Sequence, residues 1–111
     1  MGSGLIAVNG SGTVTHWNEQ ASLITGFSAP EAIGRPCEDV FRTNGTGPNL
    51  LRRALTASFG DGEIDLLTKD DRLVPVALRL TPLEEEGSLT VGVVGIFNDL
   101  TETRRSEEQL R

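Results

Sequence analysis

The spacing of apolar residues changes several times along the chain. Leu5, Ile6 and Val8 open it, followed by Asn9-Gly10-Ser11-Gly12, residues that tolerate positive φ. Thr13 to Trp17 then alternates β-branched residues with others. Two such runs about a short Asn/Gly turn predict a β-hairpin. The next run, "NEQASLITGF", has Asn18 as an N-cap, Ala21, Leu23 and Ile24 on one face, and Gly26 as its stop. It reads as a helix. "SAPEAIG" reads as a further helical turn, with Ser28 and Glu31 at capping-box spacing, Pro30 in the first turn and Gly34 at the end. "CEDVF" reads as another turn, and "RTNGTGPN" as a loop.

In "PNLLRRALTASFG" the spacing of Leu50, Leu51, Ala54, Leu55, Ser58 and Phe59 is helical, with Gly60 closing the run. The period then falls to two. Ile64 and Leu66 share one face of a strand. Val74, Val76, Leu78 and Leu80 share one face of the next, with Ala77, Arg79 and Thr81 on the other. Lys69-Asp70-Asp71-Arg72 is the expected turn between them, and "EEEG" at 84–87 the turn before a last, strongly apolar strand, "SLTVGVVGIFND". The tail "DLTETRRSEEQLR" is polar and helical in propensity. Asp99 and Glu102 have capping-box spacing, and Leu100, Thr103, Glu107 and Leu110 fall in a 3-4-3 pattern, a short and polar beginning of a heptad seam. The expected order is two strands, short helices, one longer helix, three strands and an exit helix.

The chain has 111 residues, 37% hydrophobic and 23% charged, the profile of one globular domain that buries roughly 65% of its unfolded surface. Ten basic residues against sixteen acidic give a net charge of −6, and the basic residues cluster only as Arg52-Arg53 and Arg104-Arg105. Nucleic-acid binding through a dense basic face is therefore not expected. No apolar run is long enough to span a membrane, and Met1–Gly4 lacks the basic region and apolar core of a signal peptide. One cysteine leaves no intramolecular disulfide, which suits a reducing compartment and a cytoplasmic location.

Taken together, "GLIAVNGSGTVTHWNEQASLITGFSAPEAIGRP" and "GVVGIFNDLTETRRSEEQLR" resemble the PAS domain family. The front matches a strand–turn–strand followed by "WN…A…TG(Y/F)S…E…G"; the end matches a "G…DIT" signature, here Asp99-Leu100-Thr101. The resemblance covers nearly the whole chain. It implies an α+β fold in which short helices cover one face of a five-stranded antiparallel sheet, with residues 1–99 as the sensory domain and 100–111 starting a C-terminal linker helix. It also implies a signalling role upstream of an output domain. The expected parent is a bacterial two-component sensor histidine kinase; a flavin- or haem-binding photoreceptor or redox sensor and a transcriptional regulator are the alternatives. A homodimer through the exit helix or the sheet is expected, with Leu100 and Leu110 near its seam.

Cys37 is the residue that would mark a photochemical branch. Members that form a flavin–cysteine adduct carry a motif resembling "N-C-R-F-L-Q"; this chain reads "P-C-E-D-V-F". Pro36 and Glu38 replace the Asn and Arg, and the late strands are apolar where that branch uses amides. A reactive thiol needs an electropositive setting, which Glu38 and Asp39 oppose. Cys37 is thus expected to be a half-buried structural residue. His16, the only histidine, lies on the second strand, whereas haem-binding relatives use a histidine of the long helix, so neither flavin nor haem is expected. No metal-ligand spacing and no nucleophile–base constellation occurs, so no enzymatic activity is expected.

The candidate lining of an interior pocket is Trp17, Ile24, Phe27, Phe41, Leu55, Phe59, Leu66, Leu78, Val93 and Phe97, with Val40 beside them in the core. Burying each large apolar side chain stabilises by roughly 1.5–3 kcal/mol, so these residues are equally able to fill the space themselves. Asn18, Ser58, Thr68 and Arg79 are the polar groups available to orient a small-molecule ligand. Asp99, Leu100 and Thr101 are the candidate signalling residues, fixing the angle between the last strand and the exit helix.

Overall fold

The computed structural model describes residues 2–43, 51, 61–85 and 89–101. Their strands are β1 (Gly4–Asn9), β2 (Val14–Trp17), β3 (Arg42–Thr43), β4 (Asp61–Leu67), β5 (Leu73–Glu85) and β6 (Leu89–Asp99), with helices α1 (Glu19–Thr25), α2 (Ala29–Ala32) and α3 (Cys37–Val40) between β2 and β3. The strands form one antiparallel sheet in the order β2-β1-β6-β5-β4-β3. The last strand thus lies at the centre, between the first strand and β5.

The β1–β2 turn is built as its residues require. Asn9 Oδ1 accepts from the amides of Ser11 (2.9 Å) and Thr13 (3.1 Å), and Gly12 takes φ 81°. Asn18 caps α1: its Oδ1 accepts from Ala21 N at 2.9 Å, and also from Leu5 N at 2.9 Å, tying the helix start to β1. Gly26 ends α1 at φ 85°, the left-handed conformation that costs glycine least. Ser28 and Glu31 form the expected capping box.

Four features depart from the sequence reading. Leu23 is 68% exposed; the buried face of α1 carries Ala21 and Thr25, one helical turn apart, with Ile24 packed beside them. Leu23, two residues from either end of that pair, points to the other side. The sheet has a sixth strand, β3, where a loop was expected; two residues are too few to show a period, and this strand exists only because it pairs with Leu66 and Leu67. Glu84 and Glu85 belong to β5, which pairs with β6 out to Glu85–Leu89 past an irregularity between Leu83 and Glu84. Cys37 is fully buried rather than half-buried. The helix expected over 49–59 lies outside the described residues except for Leu51, which is buried.

The concave face of the sheet carries the core. Ile6, Val8, Val14, Trp17, Leu66, Val76, Leu78, Leu80, Val93 and Phe97 meet Ala21, Ala32, Cys37, Val40 and Phe41 from the helices and the chain after them. Inward positions alternate with outward ones, as the register demands: Ile64 opposes Val76, Leu78 opposes Phe97, and Ile6 opposes Gly95.

Candidate functional site

β6 is the element that joins the core to the exit of the chain. Its inward residues Val93 and Phe97 are fully buried. Phe97 packs edge-on against Phe41, with centroids 5.3 Å apart and planes at 70°. Between them Gly95 leaves room for a close approach: a Cβ there would meet Ile6 Cγ2 and Leu80 Cδ2 at 3.1 Å and Leu51 Cδ2 at 3.3 Å. Two residues beyond Phe97 the strand ends. Asp99 still pairs with Val76, Leu100 N donates to Pro75 O at 2.8 Å, and the carboxylate of Asp99 accepts from Thr101 N at 2.8 Å. The Asp-Leu-Thr signature therefore forms a hydrogen-bonded turn, with the helical residue Thr101 only two positions beyond the end of the strand. Glu102, the other half of the expected capping box, lies outside the described residues.

The candidate lining residues fall into three groups. Phe41, Leu66, Leu78, Val93 and Phe97 are buried members of the core, and Trp17 joins them at 6% exposure. Ile24 and Phe27 are half-buried and pack against that core. Leu55 and Phe59 lie outside the described residues. A groove of about 550 Å³ opens elsewhere, lined in part by Glu63, Ala77, Arg79, Ile96 and Asn98. These residues alternate along their strands with the buried Leu78 and Phe97, which places them on the outer face of the sheet, and Leu78 also borders the groove.

Two of the four candidate ligand-orienting groups, Asn18 and Thr68, have structural duties. Asn18 spends its side chain on Leu5 N, Ala21 N and Ser3 O. Thr68 is buried, and its Oγ1 accepts from Arg72 N at 3.0 Å and donates to Asp70, shaping the β4–β5 turn in which Asp71 takes φ 63°. Arg79 is exposed on the outer face. Ser58 lies outside the described residues.

The Cys37 thiol is 3.6 Å from a carboxylate oxygen of Glu38. A neighbouring anion opposes thiolate formation. His16 is exposed, its Nδ1 3.0 Å from Thr15 Oγ1. Among the described residues no three His, Cys, Asp or Glu side chains converge as a metal site, and no helix is long and apolar enough to cross a membrane.

A polar cluster at the α1–α2 corner has no counterpart in the sequence pattern. Lys69 reaches Glu31, Arg42 pairs with Asp71 at 3.4 Å, and both cations approach the ring of Phe27. The Glu31 carboxyl is lowered from 4.5 to about 2, chiefly by the hydrogen bond from Lys69 and then by those from Ser28. Asp70 is also lowered, chiefly by the Thr68 hydroxyl. A depressed carboxyl stabilises the fold above its ordinary titration range, and that contribution is lost as pH falls toward about 2. The side-chain carbon resonance of Glu31 is expected to titrate with a midpoint near 2 and to move back toward 4.5 in Lys69→Ala. A wild-type midpoint at the ordinary value would show that the Lys69 contact does not persist in solution.

A PAS domain family model matches residues 2–102. A PAS domain of a Colwellia psychrerythraea protein superposes with a TM-score of 0.73 at 23% identity, over 90% of this chain and 87% of that one. A LOV domain from a blue-light activated histidine kinase of Erythrobacter litoralis gives 0.68 at 22% identity, over 87% and 94%. Phytochrome C of Arabidopsis thaliana is 36% identical over 56 residues, 49% of this chain; the chain spans only 5% of that relative's length. The structural matches carry the fold: a curled antiparallel sheet with short helices on one face. With the family match running from the first strand to the turn after the last, the chain belongs to the PAS domain family.

Proposed function

We propose that this chain is the sensory and dimerising module of a bacterial two-component signalling protein, a cytoplasmic sensor histidine kinase region or its equivalent. The observation that carries the reading is the continuity of β6. The strand holding Phe97 in the core is the strand whose end, Asp99, orders the turn into the chain's exit. A change in packing between sheet and helices shifts β6, and the Asp99–Thr101 turn converts that shift into a new direction for the exit helix. In a dimer of exit helices this is a population shift between two arrangements. The module itself catalyses no reaction; its partners are a second copy and the parent's output domain, and a small molecule in the interior is a candidate signal.

A cofactor-based sensor is the competing class, suggested by the likeness to a LOV domain. The burial of Cys37 beside Glu38 weighs against a flavin adduct in this chain. Purified protein is expected to be colourless, and a visible absorption band would favour the competing class. Sedimentation of the full 111-residue chain is expected to show a concentration-dependent dimer weakened by Leu100→Arg. A monomer at high concentration would remove the dimer from the proposal. In the parent protein, Asp99→Ala is expected to uncouple signal from output while leaving the domain folded; unchanged output would make the module a passive spacer.

A further inference from the structure

The α1–α2 corner is held to the β4–β5 turn by a cluster centred on Phe27. The guanidinium carbon of Arg42 lies 5.6 Å and Lys69 Nζ 5.8 Å from the centroid of its ring. Each cation is also paired with a carboxylate, Arg42 with Asp71 on the turn and Lys69 with Glu31 on α2. Beneath these pairs, Lys69 N donates to Thr25 O at 2.8 Å and Arg42 donates to Thr68 O. The corner is bracketed by two glycines in the left-handed region, Gly26 at φ 85° and Gly34 at φ 93°.

Two properties set this cluster apart from an ordinary tertiary contact. Its ion pairs are partly open to water, with side chains 51% and 38% exposed for Lys69 and Glu31 and 29% and 76% for Arg42 and Asp71, so dissolved salt screens them. In addition, Nε of Arg42 is buried without an acceptor. A buried donor without an acceptor raises the free energy of the closed arrangement. Of the two ion pairs, Lys69–Glu31 is thus the one that ties the turn to α2 and that salt weakens, while the closed state carries a buried donor left without an acceptor.

We propose that the α1–α2 corner is a releasable clasp that lets go of the β4–β5 turn as ionic strength rises, while the sheet stays intact. Phe27, half-buried against the core, is the side chain that leaves. Such a clasp gives the sheet–helix interior an input separate from the β6 exit, so it stands whether or not the exit helices dimerise.

The chain contains its own reporter. Trp17 is the only tryptophan, and its indole N–H donates to Phe27 O at 2.9 Å and to Ser22 Oγ at 3.1 Å. Amide exchange and acrylamide quenching of Trp17 are measured on the full chain at fixed pH, between about 0.01 and 1 M sodium chloride. Protection at the Lys69 amide is expected to fall about fivefold at high salt, with quenching of Trp17 rising in parallel and the β6 amides unchanged. Lys69→Gln is expected to show the high-salt behaviour at low salt, while Lys69→Arg keeps the wild-type salt response. Salt-independent protection at Lys69 overturns the proposal. So does equal loss at Lys69 and β6, which is whole-domain unfolding, or a Lys69→Gln protein that matches wild type at low salt.

Discussion

Phe97→Ala is expected to destabilise the domain by about 3–5 kcal/mol in chemical denaturation, the range for removing a fully buried phenylalanine. The ring is inaccessible to solvent and meets Phe41 edge-on. On the opposite strand, Gly4 is where the ring rests: a Cβ at Gly4 would lie 2.6 Å from its carbons. Gly4 has no side chain to move into the space, so the cavity would not close easily. The edge-to-face pair adds about 0.5–1.5 kcal/mol beyond area burial, which a double-mutant cycle with Phe41→Leu would report as coupling. A loss below about 1 kcal/mol would mean that the interior near β6 relaxes around the void, and the claim that β6 is firmly seated in the core would fall with it. Because the same strand leads to Asp99, a loosened Phe97 variant is also expected to weaken coupling to the exit turn.

The second large effect is expected at Gly92. A Cβ there would stand 2.5 Å from the carbonyl oxygen of Val8. The obstacle is backbone, so no side chain can swing away; β1 and β6 would have to separate locally. Overpacking of this kind costs about 1–3 kcal/mol and occasionally more, and here the β1–β6 ladder would be strained as well. Gly92→Ala is therefore expected to lower the denaturation midpoint strongly and to expose the amides of Val8 and Val93 to exchange. Gly10→Ala is the control. It lies in the exposed β1–β2 turn, where its Cβ would meet Val91 O at an ordinary 3.6 Å, so its effect should stay within about 0.5 kcal/mol. Equal effects at the two glycines would show that the close strand approach at Gly92 is not a feature of the folded protein.

Much of the fold was legible because it rests on local rules. The hairpin turn arises from Asn9 and Gly12, the start of α1 from Asn18 and its end from Gly26, and the cap of α2 from Ser28 and Glu31. Strand alternation placed Leu66, Val76, Leu78 and Leu80 inward correctly, since a period of two leaves only one choice once the apolar set is known. The Asp-Leu-Thr signature marked the exit turn, where the Asp99 carboxylate accepts from Thr101 N. Leu23 shows where pattern reading stops: counting apolar residues on a seven-residue helix does not reveal that a threonine, Thr25, takes the buried place by donating its hydroxyl to Ala21 O at 2.7 Å.

Sequence alone determined the β1–β2 and β4–β5 turns, the caps of α1 and α2, the strand character of β1, β2, β4, β5 and β6, and the family to which the chain belongs. Only the tertiary structure decided that β6 runs between β1 and β5, that Arg42–Thr43 becomes an edge strand, and that Arg42, Lys69 and Glu31 gather about Phe27. The physical reason is range. Caps, turns and periods are set by groups a few residues apart, whereas the Lys69–Glu31 pair alone joins side chains 38 positions apart. The energies of such contacts exist only after the chain has closed on itself.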